Sequence, residues 1–153
     1  MSKNHFAGID IMVPEQYREH YQTYCQTGAL GVSQIEENPF PRMIDMWFLS
    51  IGIAVHKGLK PEFDVRGPTY KAMEGVVLGS DSWRSDALVL LAIAYEEDIG
   101  IAEKPAEMMR IANAYANAGL PDLISLLQNR DGDAPLDFLC EEIEDWIKSV
   151  SAN

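Results

Sequence analysis

Cysteine, histidine and positive charge are all scarce in this chain. It holds two cysteines and three histidines in 153 residues, and 12 Lys and Arg against 24 Asp and Glu. Cys25 and Cys140 form no Cys-x-x-Cys pair, and each sits in a helical pattern among larger apolar residues. That context predicts two reduced thiols rather than a disulfide. His5, His20 and His56 fall in different predicted elements, with no metal-binding spacing on one helix. The Glu-x-x-His pairs of a di-metal bundle are missing. So are the Gly-x-Ser-x-Gly elbow, the Gly-Lys phosphate loop and the Gly-x-Gly-x-x-Gly dinucleotide turn. Asp131-Gly132-Asp133 carries its acids at the wrong offsets for a calcium loop. The expectation is no cofactor, no metal and no catalytic residue; the chain reads as non-enzymatic.

Long uncharged apolar runs are also absent. None reaches the roughly 18 residues of a membrane span, and the first ten residues lack the apolar core of a signal peptide. A cytoplasmic protein with no membrane contact is expected. The shortage of cations is uneven. Residues 1–71 carry seven Lys and Arg against eight acids, net −1, whereas residues 72–153 carry five against sixteen, net −11. An acidic second half repels phosphate backbones and suits a basic protein partner.

What is present points to an all-α single domain. The length is one domain's worth, and 47% hydrophobic residues are enough to fill a core. Residues 1–8 read as a flexible tail and 9–153 as one helical domain of six to seven helices. The centre is Met43–Lys57, MIDMWFLSIGIAVHK, opened by Pro41 and closed by Gly58. Its apolar residues, Trp47 among them, fall on nearly every side, which predicts a helix over 42–57 buried all round. Gly52 interrupts it at a cost of about 1 kcal/mol relative to Ala, a feature that usually lets another backbone approach. Asp45, if buried, needs a partner. Arg42 lies three residues away on the same face, so a paired or capping carboxylate is the first reading and a functional one the second.

Around this centre the chain reads in order. Ile9–Val13 is a short extended lead-in or an edge strand. Pro14 opens a helix to about Thr27, with Tyr17, Tyr21 and Tyr24 on one face. This is a packing stripe, or a base-stacking surface if a basic groove surrounded it. Phe40 is a plug before the central helix. A short helix is expected from about Thr69 to Leu78, then a largely buried helix over 83–97. Two helices follow, 105–118 stopped by Gly119 and 121–129 opened by Pro121. The last runs over 135–150, with Leu136, Leu139, Ile143, Trp146, Ile147 and Val150 forming one apolar face.

Two charged regions are candidate contact surfaces. The only locally basic stretch is 56–71, with His56, Lys57, Lys60, Arg66 and Lys71. It is either a solvated connection or a contact for phosphate or an acidic surface. The acids Glu96, Glu97 and Asp98, with Glu141, Glu142, Glu144 and Asp145, form a candidate docking face of opposite sign.

Three segments together resemble a family of small proteins associated with bacterial DNA phosphorothioation (Dnd) defence loci. The first is Ile11-Met12-Val13-Pro14 with Tyr17. The second is Phe40, Met43–Phe48, Gly52 and the turn Lys57-Gly58-Leu59-Lys60. The third is Ile111–Leu120, leading to Leu126-Leu127. The likeness spans roughly residues 9–128 and excludes the last helix. It implies a setting rather than a reaction: antiviral defence beside DNA modification. The resulting expectation is an accessory or adaptor subunit that binds other proteins of a defence complex, with room for self-association. The alternatives are a nucleic-acid binder using Lys57, Lys60, Arg66 and Lys71, which the net charge disfavours, and an acidic mimic of DNA.

Overall fold

The computed structural model describes residues 4–26, 37–80, 82–128 and 134–151. Two helices make its centre: α2, Met43–His56, and α4, Pro105–Gln128. The start of α2 is set by Asp45, whose Oδ2 accepts the main-chain N–H of Arg42 at 2.9 Å. Its end is a Schellman turn. Gly58 adopts φ +65°, which lets the N–H of Leu59 reach the Ala54 carbonyl at 2.9 Å and that of Gly58 reach Val55 at 3.2 Å.

α4 lies along α2 in the same sense. Trp47 Nε1 donates to Asn113 Oδ1 at 3.2 Å near one end, and Lys57 Nζ meets Asp122 Oδ2 at 3.1 Å near the other. Between them the two backbones nearly touch. Ala112, Ala116 and Gly119 are buried on α4, facing a helix whose Ser50 and Ala54 are fully buried. A Cβ on Gly119 would overlap the carbonyl oxygen of Ser50. Small residues at the crossing are therefore a steric requirement.

A two-stranded antiparallel sheet ties the start of the chain to its middle. β1, Asp10–Pro14, pairs with β2, Thr69–Glu74, with a bulge between Ile11 and Met12. Around the centre stand α1 (Arg18–Tyr24), α3 (Ser82–Glu96) and α5 (Pro135–Ser151). Short 3-10 helices occupy Glu15–Tyr17, Gly75–Gly79 and Ile99–Glu103. The fold is an all-α bundle carrying one small sheet. No helix among the described residues is long and apolar enough to cross a membrane.

Five details depart from the sequence reading. Residues 4–8, expected within a tail, form turns pinned by a fully buried Phe6. Pro14 is the last residue of β1 rather than the first of a helix, and the helical stretch after it begins as a 3-10 turn, Glu15–Tyr17, before α1 starts at Arg18. The helix expected over 69–78 is strand β2 followed by a 3-10 turn; pairing with a strand 55 or more residues away overrides local preference. Pro121 does not separate two helices. It lies inside α4, where Gly119, Leu120, Leu123, Ile124 and Leu127 continue one buried face across it. Packing of that face offsets the hydrogen bond a proline cannot make. Finally, α3 is half-exposed rather than largely buried: Leu88 and Ala92 are inside, while Trp83 and Leu90 are not. The expected Gly28 cap and the turn 131–133 lie outside the described residues.

Both thiols are free, Cys25 buried and Cys140 exposed. Cys25 touches Met46 of α2, with Sγ 3.8 Å from Sδ. Burial, reinforced by the charge of Asp45, pushes its thiol up to about 12.

Candidate functional site

The basic stretch does not converge into one basic surface. Lys57 Nζ is bonded to Asp122 of α4. Lys71 Nζ lies 2.9 Å from Glu74 Oε1 and 3.4 Å from Asp10 Oδ1 across the sheet. Lys60 and Arg66 line an open cleft of about 540 Å³, but Glu62, Asp64 and Asp122 line it too. Asp122 is held by Lys57, and Glu62 and Asp64 match the two cations that line the cleft. His56 points elsewhere and stacks on Trp146 of α5, ring centroids 4.9 Å apart. The tyrosine stripe is not a stacking platform either: Tyr21 and Tyr24 are buried, and only Tyr17 is partly open.

Asp45 has a structural environment. Besides capping α2 it binds Arg84 of α3, Oδ1 to NH2 at 2.7 Å, and both side chains are mostly buried. Arg42 NH2 lies 3.5 Å from the same oxygen. The Arg84 guanidinium also sits 5.4 Å from the Phe48 ring centroid, and Phe48 meets Trp83 edge-on at 5.2 Å. This cluster locks the start of α3 to the start of α2. Charged partners in a water-poor setting hold direction as well as distance. Among the described residues, no three His, Cys, Asp or Glu come together as a metal site would need.

The feature that sequence reading missed lies on the other side of α2. Trp47 and Ile51 are buried against the core, as a central helix requires, but Gly52, Val55 and His56 are exposed. No described atom lies within 4 Å of where a Gly52 Cβ would stand. Gly52 therefore makes room for no other part of the described chain; the glycines that do so are Gly75, against the main chain of Phe6 and Ile9, and Gly119, against Ser50. Clefts of about 360 Å³ and 460 Å³ run on the two sides of Gly52 and His56. The first is walled by Ile143, Trp146, Ile147 and Val150 of α5, the second by Ala87, Leu90 and Leu91 of α3. Together they form an open apolar trough with α2 as its floor. Its rims are wet yet greasy: Val55 is 53% exposed, Leu90 66%, Ile147 61% and Val150 64%. Single exposed apolar residues are ordinary, but a contiguous set on three helices is a candidate contact surface.

Acids stand on the helices that wall this trough, though none of the described residues lining it is acidic. On α5, Glu142 and Glu144 stand on the two sides of the apolar stripe formed by Ile143, Trp146, Ile147 and Val150. Glu141 and Asp145 lie farther round the helix. α3 ends at Glu96, so Glu97, at φ +54°, lies in the turn beyond the helix. Glu96 and Asp98 adjoin it, with the Asp98 carboxylate accepting the Gly100 N–H at 2.9 Å. The signal available in the sequence was Gly52 itself, in a helix with no internal need for it.

No family model, no curated protein and no solved structure matches this chain.

Proposed function

We propose that this protein is a non-catalytic adaptor that works by protein–protein contact, an accessory subunit of a bacterial defence or DNA-modification-linked complex. The observation that carries the reading is the apolar trough over Gly52, Val55 and His56, open along its length and walled by helices that carry acids on their other faces. Obligate and regulatory interfaces have this make-up: an apolar centre and a polar rim. The rod beneath is rigid, because α2 and α4 pack backbone to backbone at Gly119, so the surface is presented preformed. The nucleic-acid alternative loses support from Lys57 and Lys71, which already hold carboxylates.

Affinity purification of the tagged chain from its own cells tests the reading. The expected result is a second protein retained in fixed proportion, lost when Leu90 and Val55 are both replaced by Glu. Recovery of this chain alone, at low and at high salt, contradicts it.

A further inference from the structure

We infer that the trough receives an amphipathic helix of a partner protein, apolar on the face that enters and lysine- or arginine-rich on its flanks. The inference rests on the adaptor reading and adds the occupant. Four observations select it.

The first is main-chain chemistry. The floor is α2, whose backbone groups are bonded within the helix, and the walls are α3 and α5. Among the described residues the trough offers no strand edge, so an entering segment must satisfy its own N–H and C=O groups. A helix does this; a strand or coil does not.

The second is Gly52. It is helical, exposed and without a described neighbour within 4 Å of a Cβ. It lies midway between the two clefts, where a second helix would come closest. Gly119 shows the same device on the opposite side of α2, already filled by α4.

The third is length. Phe48 to His56 covers about 12 Å of floor, enough for about two turns of an entering helix.

The fourth is charge. Glu142 and Glu144 lie on the two sides of the α5 apolar stripe, and residues 72–153, which supply α3 and α5, carry a net −11. Among the described residues, the lining contains no Lys or Arg. A basic flank is complementary to this charge. A second copy of the chain is not, since a two-fold contact sets acid against acid in a molecule of net charge −12. An anionic lipid surface is repelled for the same reason.

The test uses two designed peptides of about 18 residues, five helical turns. One is leucine on one face and lysine on the other; the second replaces every lysine by glutamate. Binding is followed by calorimetry and by the fluorescence of Trp83 and Trp146. The wild-type protein is expected to bind the leucine–lysine peptide one to one, more weakly as salt rises, and not the glutamate peptide. Gly52→Leu, which fills the floor without touching the core, is expected to weaken binding by roughly tenfold or more, about 1.4 kcal/mol. Leu90→Glu serves as a second variant from the opposite wall, and far-UV circular dichroism verifies that each is folded. Failure to bind either peptide overturns the inference, as does binding that both variants leave unchanged, since that is surface charge alone. Equal binding of the glutamate peptide overturns the charge assignment. A dimer seen by light scattering and dispersed by Gly52→Leu overturns the inference in favour of a second copy. The adaptor reading is judged separately: a partner retained in purification by both Gly52→Leu and Leu90→Glu leaves that reading standing on another surface.

Discussion

The two faces of α2 use glycine in opposite ways. Toward α4 the contact is so close that residue 119 has no room for a methyl group beside Ser50. Toward solvent, Gly52 has no described neighbour within that reach. One face is closed by the chain's own folding, and the other is left open between α3 and α5. The comparison separates two meanings of an apolar helix. Met46, Trp47, Ser50 and Ile53 specify the fold, whereas Val55 and the α3 and α5 residues around it contribute surface. A stretch rich in apolar residues on every side can hold both functions at once.

The sharpest way to break the comparison is on the closed face. Gly119→Ala is expected to lose about 3 kcal/mol despite alanine's better helix propensity, because backbone rather than a movable side chain stands in the way. Urea unfolding measures it; an unchanged midpoint would mean the helices are not in contact there. Next in size is Asp45→Ala, which removes a cap and the partner of Arg84 together. About 2 kcal/mol is expected, below the ~3–5 kcal/mol of a fully buried pair because both groups keep some water contact. Thermal melts of Asp45→Ala and Asp45→Asn read the effect, the second retaining part of the cap.

Alkaline pH distinguishes inside from outside by another route. The Cys25 thiol is pushed up to about 12 from an ordinary 9.0, chiefly by burial, and the fully buried Tyr21 hydroxyl is raised well above its usual range. The folded state thus keeps protons that the unfolded chain releases. Their stabilisation is complete below pH 9 and declines as pH rises toward 12, by about 1 kcal/mol at pH 10 for Cys25. Urea midpoints between pH 8 and 10.5 follow the decline. A thiol reagent at pH 8 is expected to modify Cys140 at once and Cys25 only on unfolding. The smallest effect is at the Lys57–Asp122 pair, where both partners are more than a third exposed. Asp122→Ala is expected to change stability by no more than about 0.5 kcal/mol, and a larger change in the melt would give that pair a structural weight not assigned to it.

The parts legible in the sequence were those set by local chemistry. Asp45, Pro41 and Gly58 mark α2 because a cap, a fixed φ and a positive φ act within a few residues. The apolar stripe from Leu136 to Val150 was legible for the same reason, although its outer part faces water. What failed was non-local. Thr69–Glu74 is a strand only because β1 returns to pair with it. Pro121 resembles a helix start until the buried face crossing it is seen. Leu90 and Trp83 look like core in a list of residues, since composition says that a side chain is apolar and not what covers it. The site was half-legible: Gly52 and His56 stood out, but an approach within the chain was expected where the structure has open space.

The melting temperature of Gly52→Ala tests the central claim most directly. An open, helical position gains about 1 kcal/mol from the added methyl, so the isolated protein should melt about 2–4 °C higher. A melting temperature lowered by a similar amount would mean that part of this chain already covers the floor, and the trough would not be a surface awaiting a partner.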